Sequence, residues 1–76
     1  MEIIKESLDR YTKDRIPTGG FLTAVLENDL MGAMGRADHI NRQRLPEICK
    51  YIYNELPSGI WGSREKVQNH LKNSYL

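Results

Sequence analysis

The sequence predicts an all-α fold, a compact bundle of four to five short helices built by residues 1–76 as a single domain. Three observations carry that prediction. Apolar residues recur at helical spacing, most clearly Leu45, Ile48, Cys49, Ile52 and Leu56 at i, i+3, i+4, i+7 and i+11. Capping and breaking residues, at Thr18-Gly19-Gly20, Asn28-Asp29, Leu56-Pro57-Ser58-Gly59 and Ser63, divide the chain into helix-length pieces. A chain of 76 residues supports one core, burying about 60–65% of the surface its unfolded form exposes. A core of that size is marginal, so self-association into a homo-oligomer is expected to hide further apolar surface.

The first helix is expected from about Glu2 to Asp14, with Ile4, Leu8 and Tyr11 forming an apolar face that Ile3 widens. Its other side carries Glu2, Glu6, Asp9, Arg10 and Lys13, a solvated face on which Glu6 and Arg10 stand at i, i+4. Pro17 ends what precedes it, and Thr18 is the expected N-cap of a second helix running to about Glu27. Phe21, Leu22, Ala24, Val25 and Leu26 cover more than one side of that helix, which makes it the central element. Asn28 tolerates left-handed geometry and Asp29 can cap, so a break is read there.

A short third helix follows from about Leu30 to Ala37, weakened by Gly32 and Gly35 at roughly 1 kcal/mol each relative to Ala. Those glycines are read as signs of close helix packing, and Met31 and Met34 as core or interface filler. The fourth helix is expected from about Asn41 to Glu55, its regular part beginning near Leu45 because Pro46 suits only a helix start. Ile60 and Trp61 then form an apolar plug whose indole N–H seeks a carbonyl. Ser63 caps the last helix, about Arg64 to Asn73, with Val67 and Leu71 facing inward.

Composition excludes more than it identifies. Eleven Lys and Arg balance ten Asp and Glu, which argues against the broad basic footprint of a general nucleic-acid or membrane binder. The single Cys49 allows no internal disulfide and fits a reducing cytoplasm. No run is long and apolar enough to span a membrane, and the charged amino-terminal stretch MEIIKESLDRY has no signal-peptide core. His39 and His70 stand far apart with no cysteine companion, so neither a metal site nor a cofactor is expected. Asp38 beside His39 lacks a nucleophile, and capping accounts for Asp29 and Asp38 without acid–base chemistry. The protein is therefore read as a binder and not an enzyme.

The candidate ligand site is the glycine-rich helix start. Bare amides at Thr18, Gly19 and Gly20, with the helix dipole behind them, favour phosphate or carboxylate. Arg36, Arg42 and Arg44, in the one local concentration of basic and hydrogen-bonding side chains, would complete a nucleotide-sized anion site. Ser63 and Arg64 repeat the pattern as a second possible anion site. A different class of function rests on Tyr51, Tyr53 and Trp61, aromatics suited to a protein contact. A third reading, a helix-turn-helix DNA binder using Arg42 and Arg44, is opposed by the near-neutral charge.

The segments RIPTGGFLTAVLENDLMGAMGRADHIN, LPEICKYIYNELPS and WGSREKV resemble a family of small helical proteins encoded by phages and prophages. The resemblance spans about Tyr11 to Leu71 and implies a phage accessory protein in the cytoplasm of the infected bacterium, acting in counter-defence. On that footing the first expectation is sequestration of an anionic, nucleotide-type signal. The alternative is stoichiometric inhibition of a host defence protein.

Overall fold

Caps read from the sequence set most of the helix boundaries. The computed structural model describes residues 2–72, which form α1 (Glu2–Asp14), α2 (Gly20–Leu26), α3 (Leu30–Arg36), α4 (His39–Glu55), a 3-10 turn (Ser58–Ile60) and α5 (Arg64–Lys72). No strand occurs among the described residues, and the expected end of the last helix at Asn73 lies outside them. The fold is an all-α bundle whose 11.5 Å radius of gyration equals the roughly 11.4 Å of a compact chain of this length.

The α2–α3 junction follows from two side chains. Asn28 adopts φ 63°, its N–H donates to the Val25 carbonyl (3.1 Å), and the Asp29 N–H donates to the Ala24 carbonyl (2.8 Å). That pair of bonds with a left-handed Asn between them is a Schellman ending, which satisfies the last carbonyls of α2. Asp29 then caps α3 by accepting from the Gly32 N–H at 3.0 Å. A Cβ on Gly32 would collide with the Asp29 carboxylate, whereas Gly35 has open space around it. The expected close helix packing is thus absent, and Gly32 serves the cap instead.

Asp38 moves the start of α4. Its Oδ1 accepts from the Asn41 N–H at 2.7 Å, so α4 begins at His39 and runs continuously past Pro46. The expected loose turn before Leu45 does not form. Pro46 lacks the N–H that would reach the Arg42 carbonyl, and it sits on an exposed part of the helix, as does Arg42. Water can serve that carbonyl. Pro46→Ala should restore the missing bond and raise stability by about 1–2 kcal/mol, the helix gain less the unfolded-state rigidity lost. A shift of the urea midpoint to higher concentration at unchanged m-value checks this.

Thr18 does not cap α2. Gly19 occupies the N-cap position without a side-chain bond. The Thr18 hydroxyl instead pairs with the Thr23 hydroxyl at 3.0 Å, and Thr23 also donates to the Thr18 carbonyl at 3.2 Å. A bond from within the helix has replaced the cap.

Leu8, Tyr11, Leu22, Leu26, Ile48, Ile52, Leu56 and Val67 form the core, with Ile4, Phe21, Val25, Tyr51, Ile60, Trp61 and Leu71 packed against it. The central role of α2 holds, since Leu22, Ala24 and Leu26 are all buried. The Trp61 Nε1–H donates to the Leu56 carbonyl at 3.2 Å, closing the end of α4 as expected. Gly62, at φ 108°, donates its N–H to the Leu26 carbonyl at 2.7 Å. Only glycine holds that backbone without strain, and the bond ties the approach to α5 onto the end of α2.

Two expectations about burial fail, those for Ile3 and Cys49, and Met31 and Met34, read as core or interface filler, are not core. Ile3 is 79% exposed, Met31 80% and Met34 41%, and Cys49 is exposed although it belongs to the apolar stripe of α4. The cause is geometric for α3: Asp29 and the Schellman turn orient its two turns so that Ala33 faces inward and the larger side chains face out. Ile3 points about 100° around α1 from Ile4, the residue of that turn that packs against the core.

Candidate functional site

The expected anion site converges only in part. Thr18, Gly20 and Arg36 do line one cleft, of about 230 Å³, together with Thr23, Ala24, Glu27 and Asp29. The Arg36 side chain passes close to Gly20 and its Nη1 donates to the Gly32 carbonyl at 3.4 Å. Two carboxylates, Glu27 and Asp29, thus share the walls with one guanidinium. Gly19 is exposed and is not among the lining residues.

Arg42 and Arg44 stand apart from this cleft and from each other. Both lie on the continuous α4, where residues two apart point about 200° from one another. Because the helix starts at His39, no bend brings their side chains together. Ser63 and Arg64 do not form a built site either: Ser63 Oγ accepts from the Lys66 N–H at 3.2 Å as an ordinary N-cap, and Arg64 is exposed.

The three aromatics divide. Tyr51 is half-buried, its hydroxyl donates to Asp9 Oδ1 at 3.1 Å, and the Lys5 ammonium lies 5.4 Å from its ring centre. Desolvation and then the Asp9 carboxylate push its phenol above the ordinary range. Tyr51 thereby joins α1 to α4. Tyr53, 74% exposed, and the half-buried Trp61 pack at 6.0 Å between ring centres with a 57° tilt.

These two rings end an apolar groove. Val25, Asn28, Cys49, Ile52, Tyr53 and Trp61 enclose about 160 Å³. A smaller hollow of about 60 Å³, bounded by Leu30, Ala33 and Leu45, shares Val25, Asn28 and Cys49 with it. Beside the groove Leu30 is 62% exposed, and Met31 and Met34 on α3 and Ile40 at the start of α4 are exposed as well. Partial desolvation pushes the Cys49 thiol up, which makes it a poor thiolate nucleophile.

Beneath the other end of the molecule lies a polar network that the sequence did not announce. Tyr11 donates its hydroxyl proton to the Ile60 carbonyl at 2.6 Å. The His70 Nε2–H donates to the Tyr11 carbonyl at 2.6 Å, and Arg15 Nη1 donates to both His70 Nδ1 (3.2 Å) and the His70 carbonyl (3.1 Å). These partners assign the imidazole proton to Nε2. Arg15 holds φ 56°, a left-handed conformation that costs a non-glycine residue about 1–2 kcal/mol, and its bonds to His70 retain it there. The available signal was spacing: Tyr11 and Arg15 stand at i, i+4, and His70 follows Val67 by three residues on an inward face.

Burial, then the Glu27 charge, pushes the Tyr11 phenol up to about 12 from its ordinary 10.0. Its pKa is raised on folding, so the associated stability is complete below pH 10 and is lost as pH rises from about 10 to about 12. Urea midpoints on either side of that window should fall for the native chain and fall less for Tyr11→Phe. Equal losses would discard this origin for the alkaline instability.

Among the described residues no group of three His, Cys, Asp or Glu side chains is placed to hold a metal, and no helix is long and apolar enough to cross a membrane. Comparison of the chain with protein-family models, curated proteins and solved structures gives no match in any of the three.

Proposed function

We propose that the protein acts by binding another protein through the apolar face of α3 and the groove beside it. One observation carries this reading: Leu30, Met31, Met34 and Ile40 are 62%, 80%, 41% and 57% exposed within eleven consecutive residues. Large apolar side chains exposed together on so short a segment of a small domain mark a contact site, and methionine adapts well to a partner. The charge beside it is mixed, with Arg36 on α3 and Asp29 and Asp38 held in the caps of α3 and α4, so the complementary surface is an apolar one, such as the face of an amphipathic helix. In the setting that the phage resemblance implies, the partner is a host defence protein and binding inhibits it stoichiometrically.

The convergence of Thr18, Gly20 and Arg36 supports sequestration of a nucleotide-type signal as a second reading, and the two carboxylates in that cleft oppose it. DNA reading through Arg42 and Arg44 fits less well: both lie on the continuous α4, about 200° apart around it, so they do not present one face to a groove, and the near-neutral charge opposes it further.

Native mass spectrometry of the protein recovered from infected cells tests the protein-binding reading. The native chain is expected to retain one foreign partner in a fixed ratio. Met31→Asp/Met34→Asp should keep its helical spectrum and lose that partner by at least tenfold in affinity, as for a hot-spot pair. A homo-oligomer without a foreign chain, or a partner retained by the double variant, would overturn it.

A further inference from the structure

We infer that the cleft between the end of α1, the 3-10 turn and α5 is a binding site for a small phosphate monoester. This goes beyond the protein-binding role and uses a different part of the molecule. The cleft encloses about 400 Å³ and is lined by Thr12, Arg15, Pro57, Gly59, Ile60, Lys66, Asn69 and His70. That volume lies in the range of small-molecule sites.

Its electrostatics differ from those of every other cavity described above. Arg15 and Lys66 supply two cations, and no carboxylate stands among the described residues of its lining. The cleft at Thr18 and Arg36 has the reverse balance, with two carboxylates and one guanidinium. A phosphate monoester carries nearly two negative charges at neutral pH, which the two cations match.

The donors are held in advance. Arg15 Nη1 is fixed by the His70 ring and carbonyl, and His70, 8% exposed, is itself fixed on the Tyr11 carbonyl. Two bonds from Nη1 leave three of the five guanidinium N–H groups for a ligand. Lys66 gives one N–H to the Ser58 carbonyl at 3.2 Å and keeps two. The Tyr11 hydroxyl secures the turn from below through the Ile60 carbonyl. Groups already ordered lose little entropy on binding, which favours affinity at a site this small.

The remaining lining selects an ester over free phosphate. Thr12 spends its hydroxyl proton on the Leu8 carbonyl at 2.8 Å, so it meets a ligand as an acceptor only. A phosphate dianion offers it no proton, whereas a sugar hydroxyl does. Pro57 and Ile60 add an apolar wall for a carbon skeleton.

Amide chemical shifts of the full chain, followed in 150 mM salt with inorganic phosphate, ribose 5-phosphate and ribose as probes, test the site. Ribose 5-phosphate should move the amides of Arg15, Gly59, Ile60, Lys66 and Asn69 saturably, inorganic phosphate should bind there more weakly, and ribose should not bind. Lys66→Gln should weaken ribose 5-phosphate about tenfold, the weight of one bond between charged groups, while Arg44→Gln leaves it unchanged. Shifts absent at this cleft, equal affinity for phosphate and its ester, or equal losses from the two variants would each overturn the inference.

Discussion

Leu26→Ala should destabilise the protein by about 3–5 kcal/mol, the upper part of the range for deleting a buried leucine. Leu26 is fully buried at the last residue of α2, where neighbours from several elements meet. Its own carbonyl accepts the Gly62 N–H at 2.7 Å, so the backbone around it is fixed to the approach of α5 and cannot collapse into the space left behind. A cavity that cannot relax gives the larger penalty. A chain of this length has a total stability of only about 4–11 kcal/mol, so the variant should be substantially unfolded at moderate temperature. The comparison is Leu22→Ala, nearer the start of the same helix and 8% exposed, which should lose less. Equal urea midpoints for the two would show that the tether to Gly62 does not hold the cavity open.

Much of this architecture was legible because short-range chemistry decides it. Asn28, Asp29 and Ser63 act through bonds to residues at most five positions away, a distance sequence spacing resolves. Trp61 likewise reaches Leu56 across five residues. The rest has the opposite character. Met31, Met34 and Cys49 belong to apolar stripes, and a stripe states that a face is apolar without stating what covers it. Whether α3 turns Ala33 or its methionines inward depends on the angle set by the Schellman turn, which is tertiary information.

The ligand site shows the same division. Glycine, threonine and arginine near one another suggested an anion site, yet the carboxylates Glu27 and Asp29 enter the same cleft through the folding of α2 onto α3. Arg15 directly follows α1 and stands more than fifty residues before Lys66 and His70 on α5, and no local pattern joins it to them. Arg15 stands just past the expected end of the first helix at Asp14 and two residues before Pro17, outside every site the sequence suggested.

His70→Leu should destabilise by about 2–4 kcal/mol even though it exchanges a polar residue for an apolar one of similar bulk. The imidazole is buried among partners on both sides, donating to the Tyr11 carbonyl at 2.6 Å and accepting from Arg15 at 3.2 Å. Leucine removes both bonds and leaves the Tyr11 carbonyl and a part-buried guanidinium N–H unsatisfied, each at about 1–3 kcal/mol, with some return from apolar burial. The packing of the two rings, 4.7 Å between centres, goes as well. His70→Gln retains an N–H that can reach Tyr11, so it should recover about half the loss. Tyr11→Phe orphans the Ile60 carbonyl by the same logic, and because its backbone and ring both touch His70, the double variant with His70→Leu should be less destabilised than the sum of the two, by about 0.5–3 kcal/mol. Strict additivity in that cycle would mean that Tyr11, His70 and Arg15 act as separate contacts and not as one frame beneath the cationic cleft.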